Sequence, residues 1–238
     1  DGIMLFNDIM DLLRGTYVPF TDILGKIASV LFVVIIILPL HEYAHGWMAN
    51  KLGDPTPKLD GRLTFNPLAS VDPMGALWLL LFGFGWAKPV VVDSRYFKKP
   101  KRDMAIVAAA GPLSNLIASL IGALIYIPFI ANFSHLLGSN AFVKFLSVFL
   151  SSYIVVNVSV AVFNLIPIPP FDGSRIVGAF MSDSMLEKYY RYQNVIVMVF
   201  FVLMITGVLS GPIGTAQRFF SNLIIKIASA PYELFGVI

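Results

Sequence analysis

Long stretches without a charged residue alternate along the chain with shorter segments rich in lysine and arginine. Four such stretches are residues 27–40, 104–131, 145–171 and 195–209. A helix rises about 1.5 Å per residue, so about 20 mostly apolar residues are needed to cross roughly 30 Å of hydrocarbon. The first stretch reaches this length if its helix runs from about residue 23 to about residue 48. The pattern therefore predicts four membrane-spanning helices.

Other segments are apolar but too short or too interrupted to cross as regular helices. Residues 73–87 contain three glycines, which favours a re-entrant or interfacial segment, because lipid tolerates irregular backbone only where protein or a cavity covers it. Residues 49–66 and 88–97 are rich in glycine, proline and β-branched residues and predict short strands at the cytoplasmic face. Residues 3–13 predict an interfacial helix. Residues 219–238 fit either a tilted fifth span or an amphipathic surface helix.

Basic residues are concentrated in two of the segments that connect the predicted spans. Between the first and second spans lie Lys51, Lys58, Arg62, Lys88, Arg95, Lys98, Lys99, Lys101 and Arg102, and after the third lie Arg175, Lys188 and Arg191. Cytoplasmic loops of membrane proteins carry an excess of lysine and arginine. Residues 47–103 and 173–191 are therefore predicted to face the cytoplasm. We expect a multi-pass cell-membrane protein in which the first and third spans both end on the cytoplasmic side.

The composition narrows the class of protein further. Hydrophobic residues make up 57% of the 238 residues and charged residues 13%, about half the charged share of an average globular protein. The mean hydropathy is +0.79. The net charge of +3 gives no indication of nucleic-acid binding, and the absence of cysteine excludes disulfides and thiolate metal sites. The predicted fold class is an all-α polytopic membrane protein, formed as a single domain over residues 1–238 with its core at about 25–180.

The end of the first predicted span carries the sequence His41-Glu42-Tyr43-Ala44-His45. Two histidines four positions apart lie on one face of a helix, so both imidazoles can bind one metal ion. Glu42 projects about 100° away and would lie beside that ion, where a base could accept a proton from water. The alternative interpretation is a pair of helix-end histidines with a glutamate at the membrane surface.

The end of the third predicted span offers a further ligand. Residues 164–173 read NLIPIPPFDG, and the predicted topology returns Asp172 to the side of His41 and His45. An aspartate at this depth costs roughly 2.5–3.5 kcal/mol on insertion scales, and such residues are usually paired or functional. Two histidines, one carboxylate and an open fourth position are typical of a catalytic zinc site. Asp172 as a helix-terminus cap is the alternative.

Four motifs together resemble the site-2 protease family of intramembrane zinc metalloproteases. They are HEYAHG at 41–46, GRLTFNPLASVDPMG at 61–75, AGPLSN at 110–115 and NLIPIPPFDGSRI at 164–176. The resemblance covers about residues 25–215 and is to compact members without PDZ or CBS domains. It implies a three-helix catalytic core with one or two further spanning helices. It departs from the family at Ser174, where many members have glycine.

The resemblance also implies roles for individual residues. One Zn²⁺ ion would be bound by His41, His45 and Asp172, with Glu42 as catalytic base, although cobalt or iron could occupy such ligands. Asn164 would position the substrate or stabilise the oxyanion, or else form an interhelical hydrogen bond near Asn157. The partners implied are a transmembrane or membrane-anchored protein substrate, the lipid bilayer and a membrane regulator. Two alternatives stay open, a membrane metal carrier and a non-catalytic metal-binding protein.

Overall fold

The computed structural model describes residues 5–82 and 85–234, which fold almost entirely into helices. These residues form twelve α-helices: α1 Leu5–Leu13, α2 Phe20–Phe32, α3 Leu38–Lys51, α4 Thr56–Leu59, α5 Pro67–Ser70, α6 Pro73–Phe82, α7 Pro100–Phe133, α8 Ala141–Asn164, α9 Asp172–Gly178, α10 Asp183–Arg191, α11 Gln193–Ile205 and α12 Ser210–Leu234. The all-α prediction is confirmed for this part of the chain.

Three helical segments among the described residues are long and apolar enough to cross a membrane on their own. They are Phe20–Lys51, Pro100–Leu136 and Ala141–Asn164, with 32, 37 and 24 residues. The first two contain the predicted stretches. The third ends at Asn164, whereas the uncharged stretch continues to residue 171. Three prolines between positions 167 and 170 lack the N–H that a continuing helix needs, so Asp172 begins a separate helix, α9.

The first long helix contains a wide turn before the histidine pair. Residues Val33–Ile37 form a π-helical turn between α2 and α3, and the N–H of Leu38 donates to the carbonyl of Val33. Pro39 follows in the first turn of α3. A proline inside a helix removes one backbone hydrogen bond and crowds the preceding turn. A π turn changes the hydrogen-bond spacing locally without ending the helix. The proline therefore lies next to a local widening of a continuous helix.

The three long segments pack on one another around a common apolar core. Residues buried there include Val33, Val156 and Val158. Small residues let α7 and α8 approach closely: a Cβ at Gly122 would lie 2.6 Å from the Tyr153 ring. Ser119, fully buried on α7, donates to the carbonyl of Ile154 on α8 at 3.0 Å. Interfaces between apolar helices commonly combine small residues with such hydrogen bonds.

The region predicted as the fourth span is not one straight helix. Helix α11 ends at Ile205, and the chain then bends by 86° into α12, so the two helices count as a fourth span only if taken as one broken span. Gly207 has φ +78° within this bend, a backbone conformation that glycine adopts readily. Residues 219–234 belong to α12, which bonds to the core through Gln217 to Ser159 at 3.0 Å and Tyr232 to the carbonyl of Leu124 at 2.5 Å. Residues 235–238 lie outside the described part.

The predicted strands at 49–66 and 88–97 are wrong for the described structure, which has no strand. The first range contains the end of α3 and the short helix α4. The second is extended chain followed by a 3-10 turn. Its N–H groups at Val90 and Asp93 donate to the carboxylates of Glu42 and Asp54. These side chains take the place that a partner strand would have in a sheet.

Residues 71–87 form a loop whose two ends meet. Val71 and Ala87 make an isolated antiparallel bridge, and the N–H of Lys88 donates to the carbonyl of Ser70 at 2.8 Å. The Arg62 guanidinium donates to the carbonyls of Ala69, Lys88 and Pro89. The loop contains α6, an apolar helix of 10 residues, too short to cross a bilayer. The predicted re-entrant or interfacial position of this segment stays a prediction.

The predicted N-terminal helix is present as α1. It packs against α2 and α6, and Asp8 on α1 accepts from the Lys26 ammonium at 2.8 Å through both carboxylate oxygens. The part of the predicted range before Leu5 lies outside the described residues.

Candidate metal centre

Helix α3 presents two histidines to the interior, one turn apart. His41 and His45 are buried, with 4% and 8% of their surface exposed. Their Nε2 atoms face each other at 3.0 Å. This is the arrangement expected of imidazoles at positions i and i+4 of one helix.

Asp172, the first residue of α9, completes a cluster of three side chains. Its Oδ2 atom lies 3.3 Å from His41 Nε2 and 3.2 Å from His45 Nε2. The structure thus brings together the three sequence-predicted ligands, although more than a hundred positions separate Asp172 from the histidines. In the described part of the chain they form the group of histidines and carboxylates that could hold a metal ion.

The hydrogen bonds on the far side of each imidazole determine which nitrogen carries the proton. His45 Nδ1 lies 2.8 Å from the carbonyl oxygen of Val107, which can only accept, so Nδ1 is the donor and Nε2 carries a lone pair. His41 Nδ1 lies 2.5 Å from Asn115 Oδ1, also an acceptor. Both Nε2 lone pairs therefore point at each other and at the Asp172 carboxylate. Three acceptor atoms this close repel one another unless a cation lies between them.

The distances among these atoms fit zinc. Bonds of about 2.0–2.1 Å in a tetrahedral site place neighbouring ligand atoms about 3.3 Å apart, and the observed separations are 3.0, 3.3 and 3.2 Å. Asp172 Oδ2 is buried without a hydrogen-bond partner, which is unusual unless an ion satisfies it.

Helix α7 closes one side of the site at a glycine. A Cβ at Gly111 would lie 2.3 Å from His45 Nε2 and 2.5 Å from His41 Nε2. These distances are far below van der Waals contact. The close approach of α7 to the histidine pair therefore depends on the absence of a side chain at this position.

Glu42 lies between the two histidines in sequence and is also buried, with 8% of its surface exposed. One of its carboxylate oxygens, Oε2, accepts a hydrogen bond from the N–H of Val90 at 2.9 Å. The extended segment after the α6 loop therefore orients this carboxylate. Its second oxygen, Oε1, is not engaged in that bond.

The three candidate ligands and Glu42 line a cleft of about 250 Å³. One wall is the extended segment that follows the α6 loop, and the other includes the end of α8 and the start of α9. The residues lining it are Leu38, His41, Glu42, His45, Gly85, Trp86, Ala87, Pro89, Val90, Val92, Val160, Asn164, Pro170, Phe171, Asp172 and Arg175. A mostly apolar cleft with a few convergent polar groups is typical of an active site.

Asn164, the last residue of α8, also lines this cleft. Its side-chain amide donates to the carbonyl of Val160 on its own helix at 3.0 Å. The interhelical bond considered from the sequence is made by Asn157 instead, whose Oδ1 accepts from Asn115 at 3.3 Å. Asn164 thus lines the same cleft as the candidate ligands and has one amide hydrogen that this bond does not use.

Sequence reasoning gave too little weight to two residues around the site. The sequence offers Asn115 only as the last residue of the AGPLSN motif, without a role of its own, yet it contacts a candidate ligand directly. Asn157 was considered only as a neighbour of Asn164. Both side chains are fully buried, and an uncharged amide in an otherwise apolar helix was the signal that could have identified them.

The fold and the site together define a helical protein with a candidate metal centre between long apolar helices. The model of Peptidase family M50 matches residues 29–207. YwhC of Bacillus subtilis (strain 168), provisionally named a zinc metalloprotease, is 36% identical over 210 residues, which cover 88% of this chain and 95% of YwhC. Rip2 of Mycolicibacterium smegmatis, with a name of the same form, is 32% identical over 142 residues, covering 57% of this chain and 51% of Rip2.

The chain belongs to peptidase family M50, the family of the site-2 proteases. This confirms the resemblance drawn from its four motifs, and membership of this family makes it a metalloprotease. No solved structure matches the chain.

Proposed function

We propose that this protein is an intramembrane zinc endopeptidase that cleaves membrane-anchored protein substrates within or near the bilayer. The observation that carries the proposal is the cluster of His41 Nε2, His45 Nε2 and Asp172 Oδ2. It lies in a cleft beside the buried Glu42 and between helices long enough to cross a membrane. The family match and the names of YwhC and Rip2 support zinc and proteolysis.

His41, His45 and Asp172 would hold one Zn²⁺ ion at the wall of the cleft. Bound zinc supplies Lewis acidity, which polarises a peptide carbonyl and makes water more acidic. Glu42 would accept the proton of the attacking water and deliver it to the leaving amine. The hydrogen bond from Val90 holds the Glu42 carboxylate in place for both transfers. Asn164 would donate its remaining amide hydrogen to the developing oxyanion.

The protein would lie in the cell membrane with the cleft toward the cytoplasm. Basic residues at 51–62, 88–102 and 175–191 support this orientation, because lysine and arginine favour the cytoplasmic side. A substrate helix must unwind before one of its carbonyls can be attacked, since its backbone hydrogen bonds are otherwise satisfied internally. We therefore expect a preference for transmembrane substrates with helix-breaking residues near the scissile bond. Replacing those residues with leucine should slow cleavage.

The test is to reconstitute the purified chain in liposomes with a candidate transmembrane substrate. Wild type, Glu42→Gln and His41→Ala are compared for cleavage by mass spectrometry and for bound zinc by elemental analysis. Glu187→Gln is the matched control, because Glu187 is exposed and paired with Arg191 on α10. We expect Glu42→Gln to retain zinc and lose about 10²–10⁴ in cleavage rate, His41→Ala to lose both, and Glu187→Gln to match wild type.

Two results would contradict the proposal in different ways. Normal cleavage by Glu42→Gln would remove Glu42 from its role as catalytic base. Zinc or cobalt flux across the liposome membrane without cleavage of any substrate would favour a metal carrier. Zinc binding with neither flux nor cleavage would favour a non-catalytic metal-binding protein.

A further inference from the structure

A chain of buried amide side chains runs from the core to His41. Asn157 on α8 donates through Nδ2 to the carbonyl of Tyr153 at 2.8 Å. Asn115 on α7 donates through Nδ2 to Asn157 Oδ1 at 3.3 Å. Asn115 Oδ1 then lies 2.5 Å from His41 Nδ1. Both asparagines are fully buried, with 0% of their surface exposed.

The backbone carbonyl of Tyr153 determines which group donates and which accepts in every hydrogen bond between these amides. A carbonyl oxygen only accepts, so Asn157 must present its NH₂ group to Tyr153 and its oxygen to Asn115. Asn115 must then present its NH₂ group to Asn157 and its oxygen to His41. That oxygen also only accepts, so His41 must carry its proton on Nδ1. The result is an Nε2 lone pair aimed at His45 and Asp172.

Replacing either asparagine would release this constraint. Without an acceptor at Nδ1, the His41 proton can move to Nε2, the atom that would bind the metal. Hydrogen bonds to the far nitrogen of a ligating histidine fix its tautomer and ring orientation, and removing such a partner typically costs 10–100-fold in metal affinity. The tautomer of His45 is determined separately, by the carbonyl of Val107. Replacing Asn115 or Asn157 should therefore change the tautomer of His41 alone.

We propose that Asn115 and Asn157 are positioning residues that hold His41 in its Nδ1–H tautomer and thereby set the zinc affinity of the site. The inference rests on the proposed zinc site, but it does not require the protein to be a protease. Asn115 acts directly on His41, and Asn157 acts through Asn115 by fixing which end of its amide faces the imidazole.

The experiment compares four variants with wild type. Asn115→Leu removes the acceptor at similar volume, and Asn115→Asp keeps an acceptor for His41 Nδ1. Asn157→Leu leaves Asn115 in place but frees its amide to turn. The matched control is Ser119→Ala. It removes another buried bond between α7 and α8, one turn along α7 from Asn115, in which Ser119 donates to the carbonyl of Ile154.

Two quantities are measured for each variant. Zinc affinity is obtained by competition with a chromophoric chelator. The tautomer of His41 is obtained from ¹⁵N chemical shifts of the metal-free, histidine-labelled chain, with His41→Ala used for assignment. We expect Asn115→Leu to weaken zinc binding about 10–100-fold and to lose the pure Nδ1–H signal. Asn115→Asp should restore both, Asn157→Leu should show a smaller loss in the same direction, and Ser119→Ala should leave both unchanged.

The proposal is overturned if Asn115→Leu keeps the wild-type tautomer and zinc affinity. It is also overturned if Ser119→Ala weakens zinc binding as much as Asn115→Leu, because the effect would then come from helix packing in general. If the wild-type chain binds no zinc, the proposed function fails. In that case, the His41 tautomer in the metal-free protein still tests whether Asn115 and Asn157 position His41.

Discussion

Gly111 offers a direct test of whether the histidine pair must keep its observed geometry. In Gly111→Ala, the new Cβ would lie 2.3 Å from His45 Nε2 and 2.5 Å from His41 Nε2. Carbon and nitrogen atoms in contact lie about 3.5 Å apart, so the rings or helix α7 must move by about 1 Å. Metal–ligand distances are met within about 0.2 Å in a functional site. Two of the three candidate ligands would therefore be displaced together.

We expect Gly111→Ala to lower zinc affinity by at least about 100-fold, or about 2.8 kcal/mol. The measurement is chelator competition on detergent-solubilised protein, with circular dichroism to establish that the helices are retained. Overpacking alone costs about 1–3 kcal/mol of stability, so a control must reproduce that cost away from the site. Gly122→Ala does so on the same helix, because its Cβ would lie 2.6 Å from the Tyr153 ring.

The control should lose stability but keep zinc affinity, since Gly122 lies about three turns along α7 from Gly111. Wild-type zinc affinity in a folded Gly111→Ala protein would refute the reasoning. It would mean that the histidines bind no ion in the positions seen here. Equal losses of zinc affinity in Gly111→Ala and Gly122→Ala would refute it as well, because the site would then respond to general repacking of α7.

Three further predictions concern stability and the α6 loop. Removing zinc with a chelator should lower the unfolding temperature, and restoring free zinc to about 1,000 times its Kd should recover about 4 kcal/mol; an unchanged temperature would argue against a bound ion. Asp54→Ala should cost about 2–4 kcal/mol in thermal unfolding, because this fully buried carboxylate accepts from the N–H groups of Thr56 and Asp93 at 2.9 and 2.8 Å. Arg62→Leu should increase hydrogen exchange at residues 70–88, since the guanidinium contacts carbonyls at both ends of that loop. Unchanged exchange would show that the backbone bonds between its ends hold it without Arg62.

The long helices and the ligand cluster could be predicted from the sequence because each depends on a short-range pattern. The uncharged stretches are long enough to cross a bilayer as helices, and His41 and His45 are one helical turn apart. Asp172 could be added because the span count returns it to the same side. The structure confirms that these three side chains meet, whereas the catalytic roles of Glu42 and Asn164 stay predictions.

Features that depend on which atoms meet in space could not be predicted. The extended segment at 88–97 has strand-like composition, but its N–H groups at Val90 and Asp93 pair with buried carboxylates from distant helices. The bond from Asn115 to Asn157 requires a register between α7 and α8 that the apolar pattern leaves open. The 86° bend between α11 and α12 begins inside the uncharged stretch 195–209, so hydropathy gives no sign of it.

The position of Asp172 on its own short helix has a consequence for how the chain holds together. Because the prolines separate α9 from α8, an ion shared by His45 and Asp172 would connect two parts of the chain that no continuous helix joins. It would close a loop of more than a hundred residues, as a disulfide would in a chain that has cysteines. Closing a loop of about 100 residues removes unfolded-state entropy worth about 4–5 kcal/mol in the chain-entropy model. The same ion that would serve the chemistry would thus also act as the cross-link of a chain without cysteines.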